Sequence, residues 1–371
     1  MNTSRLLEII EKLLDVEKTN QLQQVLNGVL SVLGNMVNQP TQAAHQNAYM
    51  QALVQLQKVD EATRLAFQPS QRNVLEEIGA SPYFIDNISG TFQKIVQDNA
   101  ATLSVAHNKM GALINERQNY LGHLQQLQQN LTQMGFKANG LEPGQAEIGF
   151  LLPRELFQNE FEHLLIELQV VRRIIRAFSE VATGSSEPIE LRQISTSDPL
   201  FVFGLSPHTI EMIGAAIAWA LHTWKQVEQI RQLRSQASKI PALEDGAIAD
   251  MLEKKIKQHI EDALQQQTGE ILTHVRGDHG RKHEQTTQIR WALESIVARI
   301  ERGLSVEIRF LPPPPSKKGD GQDASTPQSV FAELDKIGRE LEFPRIEGTN
   351  ILKLPPDKPD DDKVEKNNED R

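Results

Sequence analysis

From Phe92 to Met134 the chain repeats one pattern of apolar and polar positions without a slip. Apolar side chains recur at alternating steps of four and three residues, through Phe92, Val96, Leu103, Ala106, Met110, Leu113, Tyr120, Leu124, Leu127, Leu131 and Met134. Asn99 and Arg117 are the two polar members of the series. A 3.5-residue period is the mark of a heptad seam. It predicts one helix of about 65 Å, at 1.5 Å per residue, ending at Gly135. A polar side chain inside a seam sets register or partner number at a cost in stability. The seam can be covered by the chain's own earlier helices or by a second copy, and period alone does not separate the two. Leu113, Arg117, Tyr120, Leu124, Leu127 and Leu131 form its candidate interaction surface.

The stretch before the seam reads as short helices. Met1 to Val16 is amphipathic, with Leu6, Ile9, Ile10, Leu13 and Leu14 on one stripe. Pro40 closes a second apolar stretch, and a further helix is expected from about Ala43 to Phe67. Pro69-Ser70 offers a cap for Gln71 to Ile78, and Ser81-Pro82 repeats the device. Residues 1–136 are thus expected to form a helical bundle with a long heptad helix, a coiled coil in kind. Asn139-Gly140 and Pro143-Gly144 are turn signals, and the domain boundary is placed there.

Beyond the boundary, strands alternate with helices. Ala146 to Leu152 reads as a strand, and Pro153 as the start of a helix reaching Thr183, with Phe157, Phe161, Leu164 and Leu168 on one face. Pro188 to Ile194 places Ile189 and Leu191 on one face of a second strand. Leu200 to Phe203 is a third, and Ser206-Pro207 caps a helix running to about Ser235. Strand, helix, strand, strand, helix is five-sixths of a ferredoxin-like unit. The missing strand is assigned to Ser305–Leu311, where Val306, Ile308 and Phe310 alternate with Glu307 and Arg309. The fold class expected is mainly α with an α+β part: the helical bundle, then a ferredoxin-like βαββα(β) domain over 145–311 with a helical insertion at 242–303. The alternative is a plain helical extension followed by an unrelated strand. Residues 312–327 read as a linker, 328–354 as a short helix and an edge strand (Thr349–Leu354), and 355–371 as a disordered acidic tail.

Composition narrows the function classes. The 371 residues include no cysteine, which removes disulfides, thiolate metal sites and cysteine nucleophiles. With 39 basic and 49 acidic side chains the net charge is −10 and no segment is a basic block, so no nucleic-acid partner is expected. No secretion signal is read at the amino terminus, and a cytoplasmic location is the expectation. Met212–Leu221 holds ten residues without a polar group. That is short of the roughly 20 needed to span a bilayer. A buried core helix is favoured over membrane insertion, although Gly214 and Ala218 form a small-xxx-small pair suited to close helix contact.

The densest polar cluster is HVRGDHGRKHE, where His274, Asp278, His279 and His283 are the candidate metal ligands, beside an anion alternative at Arg276, Arg281 and Lys282. Gly277 and Gly280 place a loop inside the cluster, so no helix face presents two ligands together; a solvated loop is the favoured reading. Arg172, Arg173 and Arg176 lie beside an apolar stripe and read as a solvated helix face rather than a phosphate contact. His208 reads as a surface or capping residue. No phosphate-binding loop, dinucleotide fingerprint or nucleophile elbow is present, and no cofactor is expected.

The stretch ELRQISTSDPLFVFGLSPHTIEMIGAAIAWAL (190–221) carries Leu191-Arg192 in a strand, a turn with Asp198-Pro199, and an apolar strand entering a helix capped by Ser206-Pro207. It resembles the core of small ferredoxin-like interaction domains of bacterial conflict and immunity proteins, similar to the TRADD N-terminal type. The resemblance spans about residues 146–235, and the two helices inserted before the last strand depart from it. It implies protein–protein contact rather than catalysis. The function expected is therefore a non-enzymatic interaction or scaffold protein with protein partners, a second copy among them. The alternatives are membrane association through 207–221 and a metal- or anion-binding enzyme at 274–284.

Overall fold

The computed structural model describes residues 3–138, 141–185, 187–195, 199–237, 246–273, 282–314, 327–343 and 354. The chain separates into two compact units, Met1–Gly140 and Leu141–Arg371.

The first unit is all helical: α1 (Thr3–Asn20), α2 (Leu22–Asn38), α3 (Ala43–Leu65), α4 (Pro69–Glu77), α5 (Ser81–Phe84), α6 (Ile88–Asp98) and α7 (Leu103–Gln133). Gln21 alone separates α1 from α2, at a left-handed φ of 54°. Glu17 then accepts from the Gln23 backbone N–H (2.8 Å), satisfying a free donor in the first turn of α2. Two apolar cores line up along α7. One gathers Leu22, Leu26, Val29 and Leu33 with Leu53, Leu56, Phe92, Met110 and Ile114. The other gathers Ile9, Ile10 and Leu13 with Phe67, Phe84, Leu121 and Leu124.

The seam is not one rod. The helix breaks between Asp98 and Leu103. The Asn99 side-chain amide donates to the Ile95 carbonyl (2.7 Å), a local bond that competes with the helical ladder. Both Asn99 (φ −124°) and Thr102 (φ −139°) leave helical dihedrals. The chain folds back, so that Ile88 and Phe92 share a core with Ala106, Met110 and Ile114. A four-residue link preserves the apolar phase while the chain reverses, which is why the period shows no slip. The expected rod of about 65 Å becomes an 11-residue and a 31-residue helix.

The second unit holds β1 (Ala146–Leu151), α8 (Phe161–Thr183), β2 (Glu190–Ser195), β3 (Leu200–Leu205), α9 (Pro207–Ala237), α10 (Gly246–Thr273), α11 (Lys282–Ile300), β4 (Ser305–Phe310) and α12 (Pro327–Glu340). The sheet runs β2-β3-β1-β4 with every pairing antiparallel, the strand order of a ferredoxin-like βαββαβ unit. Because β4 pairs with β1, the inserted helices belong to this fold rather than to an extension of it. Their Ile260, Leu264, Ile289 and Ile296 join the same core as Ile148, Phe150 and Ile308.

Two local readings change. The helix expected from Pro153 starts at Phe161, because Gln158 and Asn159 adopt positive φ (54° and 56°) and the chain turns there. Phe157 is buried from that turn, not from a helix face. In α4 the cap is Gln68, reciprocally bonded with Gln71, while Pro69 fills the first helical position.

The apolar run at Met212–Leu221 is core. Ile213, Ala216, Ile217, Ala220 and Leu221 are buried against the sheet and neighbouring helices. A Cβ on Gly214 would lie 2.8 Å from side-chain atoms of both Ile308 on β4 and Ile337 on α12. The small residue thus admits a strand and a helix, not a second membrane helix. Among the described residues no helix is long and apolar enough to cross a membrane.

Buried ion pairs tie elements together in both units. Glu167 of α8 receives Arg299 of α11 through both carboxylate oxygens (2.6 and 3.1 Å), both side chains being buried. Removing one partner of such a pair strands the other charge, at about 3–5 kcal/mol, whereas replacing both with apolar groups is near neutral. Glu167→Ala is therefore expected to lower the unfolding free energy by about 3–5 kcal/mol. The double variant Glu167→Leu/Arg299→Met recovers most of the loss, as chemical denaturation would show. Gly214→Ala, which overpacks the α9 contact, is expected to lower it by about 1–3 kcal/mol.

Candidate functional site: a groove beside the edge strand

Along α8, residues 161, 165, 168, 172 and 176 fall on one stripe at 3.6 residues per turn. Phe161 is 72% exposed and Leu165 also lies open, and Leu168, Arg172 and Arg176 continue the stripe. Facing this stripe is β2, the outermost strand of the sheet. β2 begins after Pro188, a residue confined to strand starts and edges. A bulge between Leu191 and Gln193 then resets its phase. Leu191 sits opposite Phe203 and Ile194 opposite Phe201, so both point to the helix-covered side, as cross-strand partners must. Neither is covered: Leu191 is 51% and Ile194 53% exposed.

Between α8 and β2 lies a groove of about 430 Å³. Phe201 and Phe203 are its floor, Leu168 one wall, and Ile189, Leu191 and Ile194 the other, with Arg172, Arg176 and Glu187 at its margins. The charges there are unequally engaged. Glu187 accepts from the Thr209 hydroxyl (3.4 Å), a neutral donor that leaves its charge in place. Arg173 is held over the Trp291 ring, 5.2 Å from its centroid. Arg172 and Arg176 have no ion-pair or hydrogen-bond partner among the described residues. The groove is apolar, and its margin carries two arginines without an ion-pair partner among the described residues beside one carboxylate held by a hydroxyl.

The opposite face of the sheet is closed by its own charges. Glu147 on β1 pairs with Arg309 directly across on β4, and Arg192 approaches Glu147 from β2 (3.8 Å). Arg192 crosses β3 over Gly204, where any Cβ would meet its guanidinium. These groups hold one another in place, and the unsatisfied apolar surface lies on the helix side.

The seam residues nominated for interaction divide. Arg117 is buried, donating to Glu17, to Gln23 (2.9 Å) and to the Tyr83 carbonyl (3.0 Å), with its guanidinium over the Phe84 ring at 4.6 Å. Tyr120 donates to the Ile78 carbonyl (2.8 Å), Leu124 is core, and Leu113 is half-buried. A second cleft of about 330 Å³ opens between Leu26, Ile88, Phe92 and Leu113, but the donors of Arg117 along its lining are already turned to the partners just named. Leu131 is half-buried, and only Leu127, with Met134 beyond it, lies open at the end of α7. Self-association through the seam thus has little exposed surface to use.

Of the metal candidates, His274, Asp278 and His279 lie outside the described residues, as do Arg276 and Arg281 of the anion alternative. His283 is exposed in the first turn of α11. Among the described residues no group of three or more His, Asp or Glu can hold a metal ion. His208 pairs with Glu211 (3.3 Å) one turn along α9. The sequence places Leu191 on a strand face but marks none of Leu191, Ile194, Phe201 and Phe203 as a site; Pro188 ahead of a short strand and the arginines on a helix stripe are the available signals. Compared with known protein families, curated proteins and solved structures, the chain matches none.

Two tyrosines of the first unit give a pH signature. Burial pushes the Tyr49 hydroxyl up to about 12, and burial with the neighbouring Tyr83 pushes Tyr120 up to about 12. The unfolded chain loses these protons near pH 10 while the folded chain keeps them. Their stabilising contribution is thus complete below pH 10 and is lost between 10 and 12. Tyr49→Phe and Tyr120→Phe are each expected to flatten the alkaline fall in denaturation midpoint. At pH 7 Tyr49→Phe leaves stability unchanged or raised, since that buried hydroxyl has no hydrogen-bond partner among the described residues.

Proposed function

We propose that the protein is a non-enzymatic interaction or scaffold protein, engaging a protein partner through the groove between α8 and β2. One observation carries this reading: an apolar groove of about 430 Å³ lies beside a strand edge that no described strand pairs. Proteins ordinarily cover or charge such an edge, because its free N–H and C=O groups template further pairing. Here β4, the other edge, has α12 packed against it, while β2 has half-exposed Leu191 and Ile194. Contiguous exposed apolar surface of this kind marks interaction sites. The resemblance to TRADD N-terminal-type domains points to the same class, and a cytoplasmic location accords with the absence of cysteine.

The test compares the tagged full chain with Leu191→Asp/Ile194→Asp, expressed at matched levels in the native cell. Partners are quantified after cross-linking. The expected result is at least one partner reduced tenfold or more by the double variant, with unfolding midpoints equal. An identical partner set for both chains overturns the reading.

A further inference from the structure

Resting on the interaction reading above, we propose what occupies the groove: an extended segment of another protein, alternating apolar residues with at least one carboxylate, added as a fifth strand along Glu190–Ser195.

The backbone argument comes first. β2 is bonded on one side to β3 and is the end of the sheet among the described residues. A strand laid against its free side, at the usual spacing of about 4.8 Å, makes main-chain bonds that require no particular sequence. Selectivity then falls to the side chains, every second of which points to the helix side. There they meet Leu191 and Ile194 and the exposed stripe of α8 beginning at Phe161. The bulge serves this arrangement. By resetting the phase it puts Leu191 and Ile194 on one side although they are three residues apart. It also interrupts the ladder, and bulged edges resist indiscriminate pairing. Affinity must then come from filling the groove.

The charge argument chooses the peptide. Glu187 at the same margin is held by the neutral Thr209 hydroxyl and keeps its charge, while Arg172 and Arg176 are matched by nothing among the described residues, so positive charge is in excess there. A carboxylate on a groove-facing position meets these two guanidiniums at the margin of an apolar site, where charge-assisted bonds are strongest. A basic segment meets repulsion instead. A nucleic acid is disfavoured by the chain's net charge of −10 and by the apolar character of the walls.

A random dodecapeptide library displayed on phage, selected on the immobilised full chain and counter-selected on Leu191→Asp/Ile194→Asp, tests this directly. Enriched sequences are synthesised and titrated by fluorescence anisotropy. The expected consensus alternates apolar residues and contains Asp or Glu. Binding weakens at least tenfold in Arg172→Gln/Arg176→Gln, falls with added salt, and slows amide exchange within residues 190–195. Both arginines are exposed, so that variant keeps its fold; equal unfolding midpoints check this. No enrichment over the counter-selected variant overturns the proposal. So does a basic or helix-patterned consensus, or binding without protection at 190–195. Dimerisation of the wild type abolished by Leu191→Asp/Ile194→Asp also overturns it, assigning the edge to a second copy. A groove-dependent partner in cells together with an empty peptide selection sinks the peptide class alone and leaves the interaction reading standing.

Discussion

A guanidinium that is cut off from water must be met by carboxylates and carbonyls at the right places, or the fold around it does not hold. Arg117 sits at the junction of the two cores strung along α7, with Ile114 in one and Leu121 in the other. Its partners come from three separate places: Glu17 at the end of α1, Gln23 at the start of α2, and the Tyr83 carbonyl in α5. Any sliding of α7 against these helices would strand a buried charge. Apolar contacts alone tolerate such sliding, because Leu and Ile pack acceptably in many registers. The ion cluster is what makes the register single. Asp60 does similar work nearby, its buried carboxylate accepting from the Ser89 backbone N–H (3.1 Å) in the first turn of α6.

The second unit repeats the logic. Glu167 and Arg299 join α8 to the inserted α11, so an insertion of two helices becomes part of one core rather than an appendage. On the sheet, Glu147 and Arg309 sit opposite each other on neighbouring strands, and Arg192 reaches the same carboxylate across Gly204. With one face locked by charge and the other covered by α9 and α12, the surface left over is the groove between α8 and β2. The open groove is thus a consequence of how the rest is satisfied.

Periodicity told truly which residues are apolar stripes and less truly how the stripes are cut. The alternating strands at Ala146, Leu200 and Ser305 were readable because strand period and turn chemistry are local. So was the core character of Met212–Leu221, since ten apolar residues are too few for a bilayer. The break after Asp98 was not readable. Its link keeps the heptad phase, and only Asn99 back-bonding to Ile95 together with the tertiary contacts of Phe92 shows that the chain reverses. The start of α8 is not legible in the sequence for a related reason: Gln158 and Asn159 turn the chain in left-handed conformation, which is uncommon for Gln and carries no sequence signal comparable to glycine.

Taken alone, the sequence determined the element types, the βαββαβ order and the absence of cysteine chemistry, because propensity, alternation and composition act over a few residues at a time. Tertiary structure decided that Arg117 is buried rather than a surface contact, that Gly214 admits β4 and α12, and that β2 ends the sheet. It also decided that a bulge turns Leu191 and Ile194 to the same side, facing Arg172 and Arg176 across a groove. Those outcomes depend on which distant segments meet, and a meeting between distant segments leaves no periodic trace in either one.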